Sequence, residues 1–258
     1  MKKNRVVAGV VAGCLLVPLI AAADIRVAAT LRVEPAAEWG GRAADILISR
    51  EWWFSQNQMA FITEDWRYVF DRSHGLILVI NTRDQYFVEA AMTAAPRDLV
   101  EPAYLEALGR IRANGATSKS PFKKTVLGRE CPGTVISEWL ADDNLHFFDR
   151  DRTVYATADV PFDWRLNRDL TVWMVSFFNP EMSYFGGLRS IEGFPLAETD
   201  IYIRKGQRIN YGSEVKNIRE AAPPKGLYEV PAGFSRREKL SKADLLAMRQ
   251  IVYLAYSF

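Results

Sequence analysis

From Ala44 to Ala90 the chain reads ADILISREWWFSQNQMAFITEDWRYVFDRSHGLILVINTRDQYFVEA, and the spacing of its turn residues constrains the fold more than any other feature. Short stretches rich in aromatic and β-branched side chains alternate apolar and polar positions, the period that sends successive side chains to opposite faces of a strand. They break at SQNQ, TED, RSHG and NTRDQ, at intervals suited to a meander of antiparallel hairpins. Ile46, Ile48, Trp52 and Phe54 share one face of the first strand, and Leu47, Ser49, Glu51 and Trp53 the other. Trp66, Tyr68 and Phe70 repeat the one-sided aromatic pattern across from Arg67 and Asp71. A sheet with so apolar a face needs a cover.

Three segments are suited to supply it as helices. In PRDLVEPAYLEALGRIRANG, Asp98 lies near the start, Leu99, Leu105, Leu108 and Ile111 recur near helical spacing, Pro102 sits in the first turn and Gly115 marks a stop. DWRLNRDLTVWMVSFFNPEM places Leu166, Leu170, Trp173, Met174, Phe177 and Phe178 on one side and ends at Asn179 and Pro180. A third begins at Ser241, where SKAD resembles a capping box with Asp replacing Glu, and spans 241–256. Between the first two lie three strands with turns at RECPG and ADDN. After the second come a hairpin turning at Lys205 and Gly206, then a strand at YEVPAGF. Groups of hairpin-linked strands separated by helices predict an α+β protein with an antiparallel sheet, and exclude a parallel nucleotide-binding one.

The first 23 residues carry Lys2, Lys3 and Arg5, then an apolar run, then Ala21 and Ala23 in signal-peptidase spacing. They predict a secretory signal, leaving residues 24–258 as a single domain with no transmembrane helix, in the periplasm or secreted. VAGC at Val11 to Cys14 offers an alternative, a lipobox that would make Cys14 a lipidated anchor to the membrane. Loss of the three leader cations from a total of 33 Lys and Arg leaves 30 against 31 Asp and Glu. That balance excludes a nucleic-acid footprint. The basic run FSRREK reads as a solvated turn before the last helix. Cys131 is then the sole cysteine, expected as a buried apolar thiol.

Chemistry-bearing constellations are missing from the sequence. The two histidines, His74 in a turn and His146 in a strand, form no HExxH motif and no H-x₃₋₅-H pair, no cysteine cluster accompanies them, and there is no G-x-S-x-G elbow or phosphate-cradling glycine loop. No catalytic residues, metal ligands or cofactor are therefore assigned. ADDN and DRDR, the latter at Asp149 to Arg152, could offer carboxylates to Ca²⁺ but read as two solvated turns flanking a strand. A hydrolase would need His74 or His146 within hydrogen-bond reach of Ser, Asp or Glu in a cleft.

The element order, with LGRECPGTVISEW at mid-chain, LRSIEGFPLAET before the late hairpin and YEVPAGFSRREKL after it, resembles a family of uncharacterised exported bacterial proteins. These are similar to the lipoprotein-carrier superfamily of the cell envelope. The resemblance implies a strongly curved antiparallel sheet, an incomplete β-barrel, with helices plugging its concave face and an apolar cavity between that takes acyl chains. On that reading Trp52, Phe54, Phe61, Trp66, Tyr68, Trp139, Trp173 and Phe177 line the cavity; equally, they could fill a packed core. The expected function is a non-catalytic envelope protein that binds a lipid or lipoprotein acyl chain or another apolar ligand, as a carrier or chaperone. The alternative is a structural or sensory envelope protein with a packed core that acts through protein partners.

Overall fold

Strand pairing follows the turns. The computed structural model describes residues 23–34, 46–102, 111–142, 145–176, 189–204, 207–241 and 243–244. In chain order its elements are β1 (Asp24–Glu34), β2 (Ile46–Phe54), β3 (Gln58–Ile62), β4 (Trp66–Asp71), β5 (Leu76–Asn81), β6 (Tyr86–Ala91), a 3₁₀ turn (Pro96–Leu99), β7 (Ile111–Val126), β8 (Arg129–Asp142), β9 (Leu145–Thr157), helix α1 (Arg165–Ser176), β10 (Phe194–Arg204), β11 (Gln207–Ala221) and β12 (Ser235–Arg237). All twelve strands form one unclosed sheet in the order β12-β6-β5-β4-β3-β2-β1-β11-β10-β9-β8-β7. Every pairing is antiparallel except β12 against β6.

β2 to β6 form the expected meander, its turns closed by bonds such as Ser55 N–H to Gln58 O and Thr63 N–H to Trp66 O, both 2.9 Å. β1 joins this block to a second run of hairpins, β7 to β11, by pairing with β2 on one side and β11 on the other. The late hairpin turns where expected, with Arg204 opposite Gln207. Phe194 can enter β10 because Gly193 stands at φ +105°, with its missing Cβ only 2.2 Å from the Thr157 backbone carbon. No L side chain fits there.

The main core lies on one face. Val27, Trp52, Phe54, Phe61, Trp66, Tyr68, Ile77, Tyr86 and Val88 meet Cys131, Ile136, Val154, Phe194 and Leu196 from the other block, and α1 adds Leu166, Leu170 and Trp173. These helix residues recur at four and three, as the sequence predicts for an inward stripe. Asp163 caps α1, its Oδ1 accepting the Arg165 N–H at 3.1 Å, while its Oδ2 meets Arg72 at 2.9 Å. That second contact bears on shape. Arg72 follows β4, six strand steps from β9, so a flat sheet would separate them by about 29 Å. The six Cα-to-Cα steps from Thr157 to Asp163 span at most about 21 Å when extended, and the chain turns back there at Val160 N–H to Ala158 O. The bridge is consistent with a sheet that curves toward this face.

The opposite face is covered too, which the alternating pattern did not foretell. Trp53, Ala60, Val69 and Ile80 pack with Leu227, and Tyr228, Val230 and Phe234 lie against them. The covering segment, residues 222–234, is a strap of turns tied down by Tyr228 Oη to Asp24 at 2.6 Å and by Arg67 to the Gly226 and Glu229 carbonyls at 3.2 and 2.7 Å. YEVPAGF is thus part of a strap and not a strand; the exposed strand β12 comes after it, inside FSRREK, where a turn was expected.

Three other expectations are corrected. The first helix does not start at Asp98: Pro96–Leu99 form a 3₁₀ turn, Val100 is extended and bridges Leu240, whose N–H bonds Leu99 O at 2.8 Å, and helical backbone is reached at Pro102. Ile111 to Gly115 belong to β7, paired with β8; residues 103–110 lie outside the described set. The turn assigned to RECPG falls earlier, at Leu127 and Gly128 with φ +50° and +76°, as a two-residue hairpin of the primed type requires. DRDR runs inside β9, and Arg152 is fully buried. At the C-terminal end, Ser241 and Asp244 form the reciprocal capping box: Asp244 N–H donates to Ser241 Oγ at 3.2 Å, and Ser241 N–H to Asp244 Oδ2 at 2.7 Å. The rest of the expected helix 241–256 is outside the described residues.

Candidate ligand groove

Six of the eight aromatic residues assigned to a cavity lie in the main core, and five of them, all on the sheet, share one seam of rings. Trp52 stacks on Phe61 at 4.9 Å, Phe61 on Tyr68 at 5.9 Å and Trp66 beside Tyr68 at 6.4 Å. Phe194 meets Trp52 and Phe54 edge-on, both at 5.8 Å, and Phe162 stacks on Phe54 at 4.0 Å. The result is a continuous seam of rings from Phe162 to Tyr86 at contact distances typical of a packed core. Phe162, Phe194 and Tyr86 were not singled out in the sequence, since none sits in a dense aromatic strand. Tyr68 is fully buried, its hydroxyl has no hydrogen-bond partner among the described residues, and burial together with Tyr86 pushes its pKa far up. Phe177 and the side chain of Trp139 lie outside the described residues.

Trp173 differs from that set by also bordering open space. With Val172 it forms one wall of a groove of about 600 Å³; Met92 and Ala94, which follow β6, form another, and Arg168, Asp169 and Arg189 stand around it. Helix geometry explains the mixture. Leu166, Leu170 and Trp173 point into the core, so Arg168, Asp169 and Val172 are turned to its rim. The Arg168 guanidinium bonds Asp169 Oδ1 at 3.3 Å and lies 5.3 Å from the Trp164 ring, which fixes it beside the groove. Arg189 is exposed and forms no ion pair among the described residues. None of the four apolar or two basic lining residues other than Trp173 was assigned from sequence. The available signal was Arg168 and Val172 at a spacing of four on the greasy helix.

A second concavity of similar volume lies on the opposite face, along Arg26, Thr30, Leu47, Ser49, Glu51, Ile62 and Lys216. Two of its cations are paired, and Glu64 and Arg50 also line it. Arg26 pairs with Glu51, which also accepts from Trp53 Nε1, and Lys216 pairs with Glu214 at 2.7 Å. Burial raises the Glu51 pKa, but Arg26 and Trp53 outweigh it and hold the carboxyl below its usual range.

Between these features a charged cluster is sealed inside the main-core face. Arg50 on β2, Arg152 on β9, Glu198 and Asp200 on β10 and Ser213 on β11 are each at most 3% exposed. Arg152 and Glu198 pair at 3.5 Å. Burial draws the Arg50 pKa down to about 9 while Glu198 pushes it back, so the guanidinium stays charged at neutral pH. Two cations and two anions balance one another.

His74 does reach an acid and a serine, but not in a cleft. Its side chain is 70% exposed in the β4–β5 turn, with Nδ1 2.8 Å from Asp71 Oδ2, and Ser73 Oγ donates to Asp71 at 2.6 Å. Serine and aspartate both approach Nδ1, at 3.4 and 2.8 Å, leaving the other ring nitrogen without the relay position a triad uses. This is turn chemistry. Burial raises the Asp71 pKa, but bonds from Ser73, His74 and Gln58 prevail and hold it well below the carboxylate range. Among the described residues no group of three or more His, Cys, Asp or Glu is placed to hold a metal ion, and no helix is long and apolar enough to cross a membrane. Cys131 is buried in the main core, where burial raises its pKa.

No protein-family model matches this chain, and no curated protein matches it in sequence. Among solved structures it is similar to a DUF1329 family protein from Desulfovibrio piger, at 7% identity and a TM-score of 0.31, over 81% of this chain and 91% of that one.

Proposed function

We propose that the protein is a non-catalytic, exported envelope component that shelters a lipid acyl chain or another apolar ligand, as a carrier or chaperone does. The groove beside Trp173 carries the reading: about 600 Å³, with Met92, Ala94 and Val172 as further apolar lining, falls within the roughly 300–1,000 Å³ of small-molecule sites. Burial of the chain would supply most of the binding, at about 0.8 kcal/mol for each methylene removed from water. The bent, unclosed sheet with α1 on one face is compatible with a half-barrel of the lipoprotein-carrier kind, and the leader supports a periplasmic or secreted location or a lipid anchor at Cys14. Native mass spectrometry of the purified protein, followed by solvent extraction, tests the reading. It should yield a bound acyl lipid that detergent exchange removes. The intact mass would at the same time separate cleavage after Ala23 from lipidation of Cys14.

A second reading has its own support. The tight ring seam from Phe162 to Tyr86 suits a packed envelope protein that acts through partners. Protein that is lipid-free in every preparation and takes up no dodecyl probe would favour it over the first.

A further inference from the structure

We propose that the groove beside Trp173 selects an anionic amphiphile, with Arg189 receiving a carboxylate or phosphate head while Trp173, Val172, Met92 and Ala94 hold the start of its chain. This deepens the apolar-ligand reading and rests on it. The lining contains two arginines and a single acid. That acid, Asp169, is engaged by Arg168, whose guanidinium is in turn held over Trp164. That pair is neutral as a whole, and Arg189 stands exposed without an ion pair among the described residues, so the groove carries one net positive charge. A cationic head would meet the Arg189 guanidinium here, and a neutral one would leave Arg189 without a charged acceptor. An anion gains charge-assisted hydrogen bonds from a planar fork. The concavity on the opposite face is lined by Glu51 and Glu64 beside Arg26, Arg50 and Lys216, and its Arg26 and Lys216 already hold carboxylates.

Calorimetric titration of the full chain with dodecanoate, dodecyl phosphate, dodecyl maltoside and inorganic phosphate, below micelle-forming concentrations, tests this. The two anionic amphiphiles should bind about three- to tenfold more tightly than the maltoside. Arg189→Ala should erase that preference and leave maltoside affinity unchanged, and added salt should do the same. Arg189 is exposed, so the variant keeps its fold, which circular dichroism checks. The order of dodecanoate and dodecyl phosphate assigns the head group, and either order supports the proposal. Equal binding of all three amphiphiles, or a preference that survives Arg189→Ala, would overturn head-group selection while leaving the apolar groove intact. Binding by none of them would remove both. Inorganic phosphate binding as tightly as dodecyl phosphate would show a bare anion site and overturn the amphiphile assignment.

Discussion

At the residue scale, two turns show local chemistry winning or losing against propensity. Leu127 occupies a left-handed position at φ +50° and is exposed, so it bears a steric cost of about 1 kcal/mol that Asn carries more easily. Leu127→Asn should raise stability by about 0.5–1 kcal/mol, read as a higher denaturation midpoint. Asp71 works the other way. Its side chain is 13% exposed and collects three side-chain donors, so its folded pKa lies below the unfolded value. The stabilisation is complete above the unfolded carboxylate range and is lost as pH falls through the folded pKa. Asp71→Asn should therefore lower stability by about 1–2 kcal/mol at pH 7. Urea titrations at descending pH should show the gap between the two proteins closing in acid.

At the element scale, the strap of residues 222–234 deserves as much weight as helix α1. Each closes one face of the same sheet, α1 through Leu166, Leu170 and Trp173 and the strap through Leu227. Leu227 is the buried anchor among half-buried neighbours, so Leu227→Ala should cost about 2–4 kcal/mol and expose Trp53 to solvent. A red shift of tryptophan emission and new binding of a hydrophobic dye would report it; no change in either would mean that Tyr228 and the Arg67 bonds suffice to hold the strap. The long edge strand β7 is guarded by Lys119, Pro121, Lys123 and Lys124, which discourage pairing with another chain. Its bulge between Lys119 and Lys123 depends on Gly133, whose Cβ would come within 2.6 Å of Ser120 Cβ.

At the scale of the whole molecule, the two hairpin blocks are joined by β1 and by a core in which charge is buried alongside aromatic rings. Glu198 acts on both Arg50 and Arg152. Removing its charge leaves two buried cations facing one acid, so Glu198→Gln should cost about 3–5 kcal/mol. Arg152→Met in the same chain should restore much of that loss, and a double-mutant cycle by chemical denaturation measures the coupling. Additive losses would show that the pair at 3.5 Å is not coupled. The cluster also orders the face: apolar rings gather from β2 to β6, and charge gathers from β9 to β11 with Arg50 reaching toward it.

By itself the sequence determined the hairpins, since alternation and turn residues act over a few positions: the meander from Ile46 to Ala91, the turn beside Lys205, the stripe of α1 and the Ser241–Asp244 cap are all local. Only the tertiary structure decided what lies across a face. DRDR looks solvated until strand pairing sets Arg152 opposite Asp200 and beside Glu198; the start expected for the first helix gives way to the bridge between Val100 and Leu240; and the Trp173 groove is assembled from Met92, Val172 and Arg189, far apart along the chain. Short-range periodicity carries no information about which distant segments meet, because that is settled by burial and register across the whole sheet.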